Sequence, residues 1–229
     1  MRGGRGHGSR TRWRVLPVLE ALVKATLRLP DSGKFKRATL NALLADTAAL
    51  GVIIDTFDQP AQRPTERAEA DTYYGGKEKR HTLKSQMAVD GRDGRIVNLA
   101  ESVRGPGHYL TLLRGSGLVG RLPAGVGALS NLGYVGLGVA PLTGLGATPL
   151  RKPRGTERPP EDVARNTASA RRWMAVEHSI RRQRVFESVK APSCHHRKRH
   201  TAWVVAVVGL VSRHLAARPQ VAAAPEAAA

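Results

Sequence analysis

An α/β fold, with a mixed sheet flanked by helices, is the class this sequence predicts, and three observations predict it. A short β-branched run, Val52-Ile53-Ile54, ends on Asp55. Two further strand-like stretches, Thr82–Val89 and Arg95–Glu101, are joined through Asp90-Gly91 and Asp93-Gly94, dipeptides that favour tight turns between antiparallel strands. Much later, Glu161-Asp162 opens a long helical stretch that runs to about Phe186.

The elements follow in order. Residues 1–14 are basic and rich in glycine, and read as a disordered N-terminus. Residues 15–50 read as a helical segment. Val15–Leu29 carries Leu16, Leu19, Leu22, Val23 and Leu27 at helical spacing, with Pro17 in its first turn. Pro30-Asp31-Ser32-Gly33 breaks that helix, and a second covers Arg37–Ala49 with Leu40, Leu43 and Leu44 inward. The sheet-bearing domain then spans 51–217. After the hairpin, Gly105-Pro106-Gly107 precedes a helix near Leu110–Leu118, and a fourth short strand falls near residues 127–132. Arg151–Pro160 is a basic, proline-containing loop, and the acids at 161 and 162 sit at the positive end of the helix after it. A last helix covers Thr201–Ala217, and residues 218–229 are a low-complexity tail read as disordered.

The 229 residues suffice for one good-sized domain and a short extra segment. Lys and Arg number 37 against 18 Asp and Glu, a formal net charge of +19. So large an excess along the whole chain points to a polyanion, because neutralising phosphates releases condensed counterions. A solvated basic surface is the plainer alternative. A third reading is a basic ribosome- or RNA-associated protein, which predicts that Asp55 and Glu177 do not meet. The single cysteine, Cys194, cannot form an internal disulfide and suits a reducing cytoplasm. No apolar signal core follows the first residues, and apolar Ala202–Val211 is about half of the roughly 20 residues a helical span needs. The expectation is a cytoplasmic, nucleoid-associated protein with no membrane contact. Cys194, His195, His196 and His200 match no zinc-finger spacing, and the glycine-rich stretch 133–146 lacks the Gly-Lys-Ser/Thr ending of a phosphate loop.

Two acids stand apart from the basic background. Asp55 ends an apolar run, and Glu177 lies in Val176-Glu177-His178-Ser179-Ile180-Arg181-Arg182. Read alone, Asp55 suits a strand-end cap and Glu177 a solvated helix position. Lys77, Lys79, Arg80, His81 and Lys84 form a basic cluster leading into the second strand, where they suit phosphate contacts or a solvated loop. Arg181 and Arg184 follow Glu177 by four and seven residues, on the same helical face. They suit a phosphate contact there or ion pairs within the protein.

Together these elements resemble the ribonuclease-H-like fold, and the segments resemble bacterial DDE transposases of the insertion sequence 5 family. The resemblance covers about residues 15–217. It rests on Val52-Ile53-Ile54-Asp55, Gln62-Arg63-Pro64, the block Tyr73-Tyr74-Gly75-Gly76-Lys77-Glu78-Lys79-Arg80-His81-Thr82-Leu83-Lys84, Leu132-Gly133-Tyr134 and Val176–Arg182. The resemblance implies three carboxylates that hold two Mg2+ (or Mn2+) ions, which clamp the attacking and leaving oxygens of an in-line phosphoryl displacement. It makes Asp55 the first acid and Glu177 the third. The second is expected directly before Leu-Gly-Tyr, where this chain has Asn131. Asparagine keeps one oxygen ligand and loses the charge. The implied activity is metal-dependent DNA cleavage and strand transfer at insertion-sequence ends, with catalysis impaired at Asn131; a non-catalytic DNA-binding remnant is the alternative. Implied partners are DNA at transposon ends and targets, another copy of the chain, or an intact transposase in a mixed oligomer.

The chain departs from the family pattern at two more places. His108-Tyr109 stands where relatives often have His-Asp, and Trp173 stands four before Glu177, where many have arginine. The helix-turn-helix region usual before the catalytic domain is expected to be missing upstream, so that 15–50 is its remnant in a truncated, decaying copy.

Overall fold

The computed structural model describes residues 14–19, 21, 51–91, 93–122, 126–134, 146–152, 154–193 and 196–217. The expected disordered ends lie outside these residues, apart from Arg14, as do the helix at Arg37–Ala49 and most of that at Val15–Leu29. Of the latter, residues 14–19 are helical, with Leu16 buried.

The central strand is β1, Val52–Pro60. It is three times the expected length, because β3, Arg80–Asp90, pairs antiparallel with all nine of its residues. Asp55 is therefore the fourth residue of a long strand and not its end. On its other side β1 pairs in parallel with β6, Ala128–Ser130, and β6 pairs in parallel with β7, Gly146–Ala147. Antiparallel and parallel halves of the sheet thus meet at the strand that carries Asp55.

Three short strands share the outer edge of β3. They are β2 (Tyr74–Gly75), β4 (Ile96–Leu99) and β5 (Val103–Arg104). The expected return strand Arg95–Glu101 is observed as β4, shorter at both ends, and β5, which was not foreseen, lies beyond it. The hairpin turn is as expected: Gly94 has φ +69°, which favours a residue without Cβ.

Alternation along the strands divides the core in two. Ile53, Phe57, Met87, Val89, Ile96 and Leu129 face the C-terminal helices, and Val52, Ile54, Ala88, Val97 and Ala128 face the other way. The first face is covered by α4 (Pro160–Gln183), α5 (Glu187–Lys190) and α6 (His200–Ala216). From α4, Val176, Ser179, Ile180 and Gln183 turn inward, at the three- and four-residue spacing of one helical stripe. The Ser179 hydroxyl donates to the Gly94 carbonyl at 2.6 Å, which seats the hairpin on the helix. The second face is covered by α2 (Tyr109–Gly115), α3 (Leu118–Arg121) and buried Tyr134. The helix expected over Leu110–Leu118 stops early, because Gly117 takes φ +62°.

Helix α1 (Arg67–Tyr73), with α5 and strands β2 and β7, was not foreseen; each has seven residues or fewer. At the far end of β1, Gln59 is buried. Its amide donates to the carbonyls of Ser188 (3.0 Å) and Ala191 (2.7 Å), and its oxygen meets His200 Nε2 at 2.8 Å.

Candidate active site

Register places two of the expected site residues side by side. β1 and β6 pair in parallel as Val52 with Ala128, Ile53 with Leu129 and Ile54 with Ser130. The next residues in line are Asp55 and Asn131, beyond the end of β6. Both follow the parity of Ile53 and Leu129, so both belong to the face covered by α4.

The contact is direct: Asn131 Nδ2 donates to Asp55 Oδ1 at 3.1 Å, and the Thr56 N–H donates to the same oxygen at 2.7 Å. The Asn131 oxygen is taken by the Gly133 N–H at 2.8 Å. That N–H needs an acceptor, which fixes which end of the carboxamide points at Asp55. The sequence expectation leaves Asn131 an oxygen for a metal; in the structure its nitrogen faces the acid. Gly133 is needed for this turn, since a Cβ there would lie 2.7 Å from the Tyr109 ring and 2.9 Å from the Asn131 oxygen.

Glu177 reaches the site from the opposite layer. It is exposed, one position off the buried stripe of α4. Asp55 and Glu177 line one cleft of about 290 Å³ together with Arg181 and Arg184. Glu177 and Asn131 line an adjoining cavity of about 610 Å³, whose wall includes Lys77. The three positions thus meet from distant parts of the chain, on β1, after β6 and on α4. Among the described residues, no group of three or more His, Cys, Asp or Glu side chains could hold a metal ion. Asp55 and Glu177 bring two carboxylates to this cleft, while position 131 turns an N–H toward Asp55 where a third oxygen ligand would be needed.

Burial, reinforced by the negative charge of Glu177, pushes the Asp55 carboxyl up to about 7, against the pull of the Thr56 N–H, Lys77 and Arg184. Farther along β1, Asp58 is also raised by burial, and its Oδ1 is buried without a hydrogen-bond partner.

The basic cluster divides. Lys77, Lys79 and Arg80 are exposed around the turn into β3, and Lys79 has φ +50°. His81 is half-buried, edge-on to Tyr74. Lys84 is placed differently: it is buried, its ammonium donates to the Gly107 carbonyl at 2.9 Å, and it lies 4.4 Å from the centre of the Tyr109 ring. Burial lowers its pKa. Of the cysteine and histidines between 194 and 200, Cys194 and His195 lie outside the described residues, His196 caps the turn at Lys198, and His200 is buried against Gln59.

Sequence reasoning passed over three features. Asp58 was visible three residues after Asp55. The buried pair of Gln86 Nε2 and the Tyr134 hydroxyl, 2.8 Å apart, had no local signal. Nor did the cavity that Asn131 lines together with Tyr109, Trp173 and Met174.

A family model described as DDE superfamily endonuclease matches residues 54–212. A curated relative, "Probable transposase for insertion sequence element IS702" of Microchaete diplosiphon, is 28% identical over 149 residues, which is 65% of this chain and 50% of that protein. The chain therefore spans about half the length of this relative. No solved structure matches. Because the family model covers more than half of the chain and takes in Asp55, Asn131 and Glu177, the chain belongs to the DDE endonuclease superfamily, a transposase family.

Proposed function

We propose that this chain is a ribonuclease-H-like DDE protein of the insertion sequence 5 type, descended from an enzyme that cuts and joins DNA at insertion-sequence ends, and that its catalysis is impaired at Asn131. The observation that carries this reading is the meeting of Asp55 on β1, Asn131 after β6 and Glu177 on α4 at the boundary between the antiparallel and parallel halves of the sheet. The ancestral reaction has two steps. Water attacks the phosphodiester and releases a 3′-hydroxyl, and that hydroxyl then attacks a target phosphodiester and displaces another 3′-oxygen.

The residues present divide the work. Asp55 and Glu177 would hold Mg2+ or Mn2+, which when bound supplies Lewis-acid stabilisation of an in-line displacement. Arg181 and Arg184, beside the two acids, suit the phosphate. Lys77, Lys79 and Arg80 suit the DNA backbone, as the charge of +19 does. Lys84, which meets Gly107 and Tyr109, would act on DNA only through the shape of the site. Asn131 opposes the ancestral chemistry twice: it removes one negative charge, and it directs a donor at Asp55 where a cation would otherwise be drawn.

That last contact favours a second reading, a non-catalytic DNA-binding protein that occupies insertion-sequence ends or joins an intact transposase in a mixed oligomer. Nicking of a labelled duplex with magnesium or manganese tests the impairment, run on the chain as it stands and on Asn131→Asp. The expected result is no appreciable nicking by the unaltered chain and tighter metal binding by the variant. Metal-dependent nicking by the unaltered chain that disappears in Asp55→Ala would overturn the impairment.

A further inference from the structure

We infer that Lys84 and Tyr109 are positioning residues that set the turn after β6 and so decide which end of the Asn131 side chain meets Asp55; this rests on the reading of position 131 as a site position and deepens it. Lys84 is buried, and among the described residues no carboxylate forms an ion pair with its ammonium. An ammonium held inside without such a partner is costly, so its remaining contacts matter. Both are with the start of α2: the ammonium donates to the Gly107 carbonyl at 2.9 Å and lies 4.4 Å from the centre of the Tyr109 ring. A cation that close to an aromatic face is attracted to it, and more strongly where water is excluded. Lys84 thus pins the first residue of α2 to β3.

The loop before α2 is tied to the same strand. The Gly105 N–H donates to the Thr82 carbonyl at 2.9 Å, and Val103 pairs with Lys84. The Tyr109 ring is thereby held against the turn Leu132–Tyr134. Its centre lies 5.4 Å from that of Tyr134, and its edge approaches Gly133 so closely that a Cβ there would be 2.7 Å away. Tyr134 is fixed in turn, buried with its hydroxyl accepting from Gln86 at 2.8 Å. Between these two rings the Gly133 N–H is held to donate to Asn131 Oδ1 at 2.8 Å, which leaves Asn131 Nδ2 on Asp55 at 3.1 Å.

The constraint begins on one face of the sheet and ends on the other. Lys84 has the parity of Ala88, and Tyr109 packs against the cluster on that second face. Asp55 has the parity of Ile53, on the face of the C-terminal helices. Strand β6 stops at Ser130, so the turn that follows it is where the two faces meet. The contacts described use the Tyr109 ring and not its hydroxyl, so phenylalanine at 109 should preserve them and leucine should not. In Asn131→Asp the same turn would hold one carboxylate oxygen on the Gly133 N–H and leave the other for the cleft. Metal affinity gained at position 131 therefore depends on Lys84 and Tyr109.

The test uses the full chain and two readouts. The first, without metal, is hydrogen exchange of the Gly133 N–H together with the NMR signals of the Asn131 side-chain amide. In Lys84→Met and in Tyr109→Leu, Gly133 exchange should rise about tenfold and the Asn131 amide signals should move, while exchange at Val89, inside the β1–β3 pairing, stays the same. Tyr109→Phe should match the unaltered chain. The second readout is magnesium affinity by calorimetry in the Asn131→Asp background, where Tyr109→Leu should cost about tenfold and Tyr109→Phe nothing. Should Lys84→Met fail to fold, the contrast between leucine and phenylalanine at 109 still decides the matter. Unchanged Gly133 and Asn131 signals, an equal rise in exchange at Val89, or equal effects of leucine and phenylalanine would overturn the inference. Asn131→Asp without any gain in magnesium affinity, in an otherwise unaltered chain, would instead overturn the metal-site reading of position 131, and the exchange results would still decide the role of Lys84 and Tyr109.

Discussion

On β1, Asp55 is half-buried, accepts hydrogen bonds from the Thr56 N–H and Asn131 Nδ2, and keeps its proton to about pH 7. On α4, Glu177 stands in solvent one residue from a buried stripe. The two acids face one cleft from layers of different character. The cost of gathering negative charge therefore falls mainly on the strand. A residue on a central strand cannot move away from its neighbours, whereas a long side chain at a helix surface can. Asp55 is thus the preorganised and desolvated member of the pair, and Glu177 the solvent-exposed one.

The largest test of this contrast is Asn131→Asp. In the absence of metal it replaces an N–H···O bond with two facing carboxylates, and we expect a loss of about 1–3 kcal/mol in stability at pH 8. Metal should restore that loss, and calorimetry should show affinity at least tenfold above the unaltered chain. No gain in metal affinity would remove position 131 from the metal site.

Next come the paired substitutions Asp55→Asn and Glu177→Gln. Both should abolish metal binding. Only the first should raise stability at pH 8, by about 1–3 kcal/mol after allowing for solvent near the group; the second should stay within about 0.5 kcal/mol. Equal effects in thermal melts would erase the distinction between strand and helix.

A pH series sharpens the same point. The folded pKa of Asp55, about 7, is raised above its ordinary value of 3.8. Its contribution to stability is therefore fully present below the ordinary value, is lost as pH rises through about 7, and is flat above that. Metal must displace the proton, so affinity should climb by up to about tenfold per pH unit below 7 and level off above it. Affinity independent of pH across this window would mean that Asp55 is not a ligand.

The smallest effect compares two lysines. Lys77→Met should lower the slope of log affinity for duplex DNA against log salt by about 0.9, the value for one phosphate contact. Lys84→Met should leave that slope unchanged, because its ammonium is occupied by Gly107 and Tyr109. The reverse result would relocate the DNA path.

Much of the frame was legible in the sequence. The hairpin, the fourth strand, the long late helix and the last helix lie within a few residues of where turn dipeptides and helical spacing put them, because those signals are local. The N-terminal part of β1 was legible as an apolar run ending on Asp55, but its continuation to Pro60 was not. Its polar residues are held there by β3, which no local signal announces. The meeting of Asp55, Asn131 and Glu177 came from motif order and resemblance. Which atom of Asn131 faces Asp55 depended on the Gly133 N–H, a detail of backbone geometry that residue types do not encode. Lys84 was grouped with its exposed neighbours because a run of basic residues carries no mark of which one turns inward.

Gln59 gives the site an order of assembly. Its three partners follow it by 129, 132 and 141 residues. The strand that carries Asp55 is made early by the ribosome, yet its buried amide stays unmatched until His200 has been added. Contacts so far apart in the chain close slowly. Through that interval the site strand lacks its clamp, and a chain halted short of residue 200 would keep Asp55 and Glu177 while leaving an amide oxygen of the central strand without its partner.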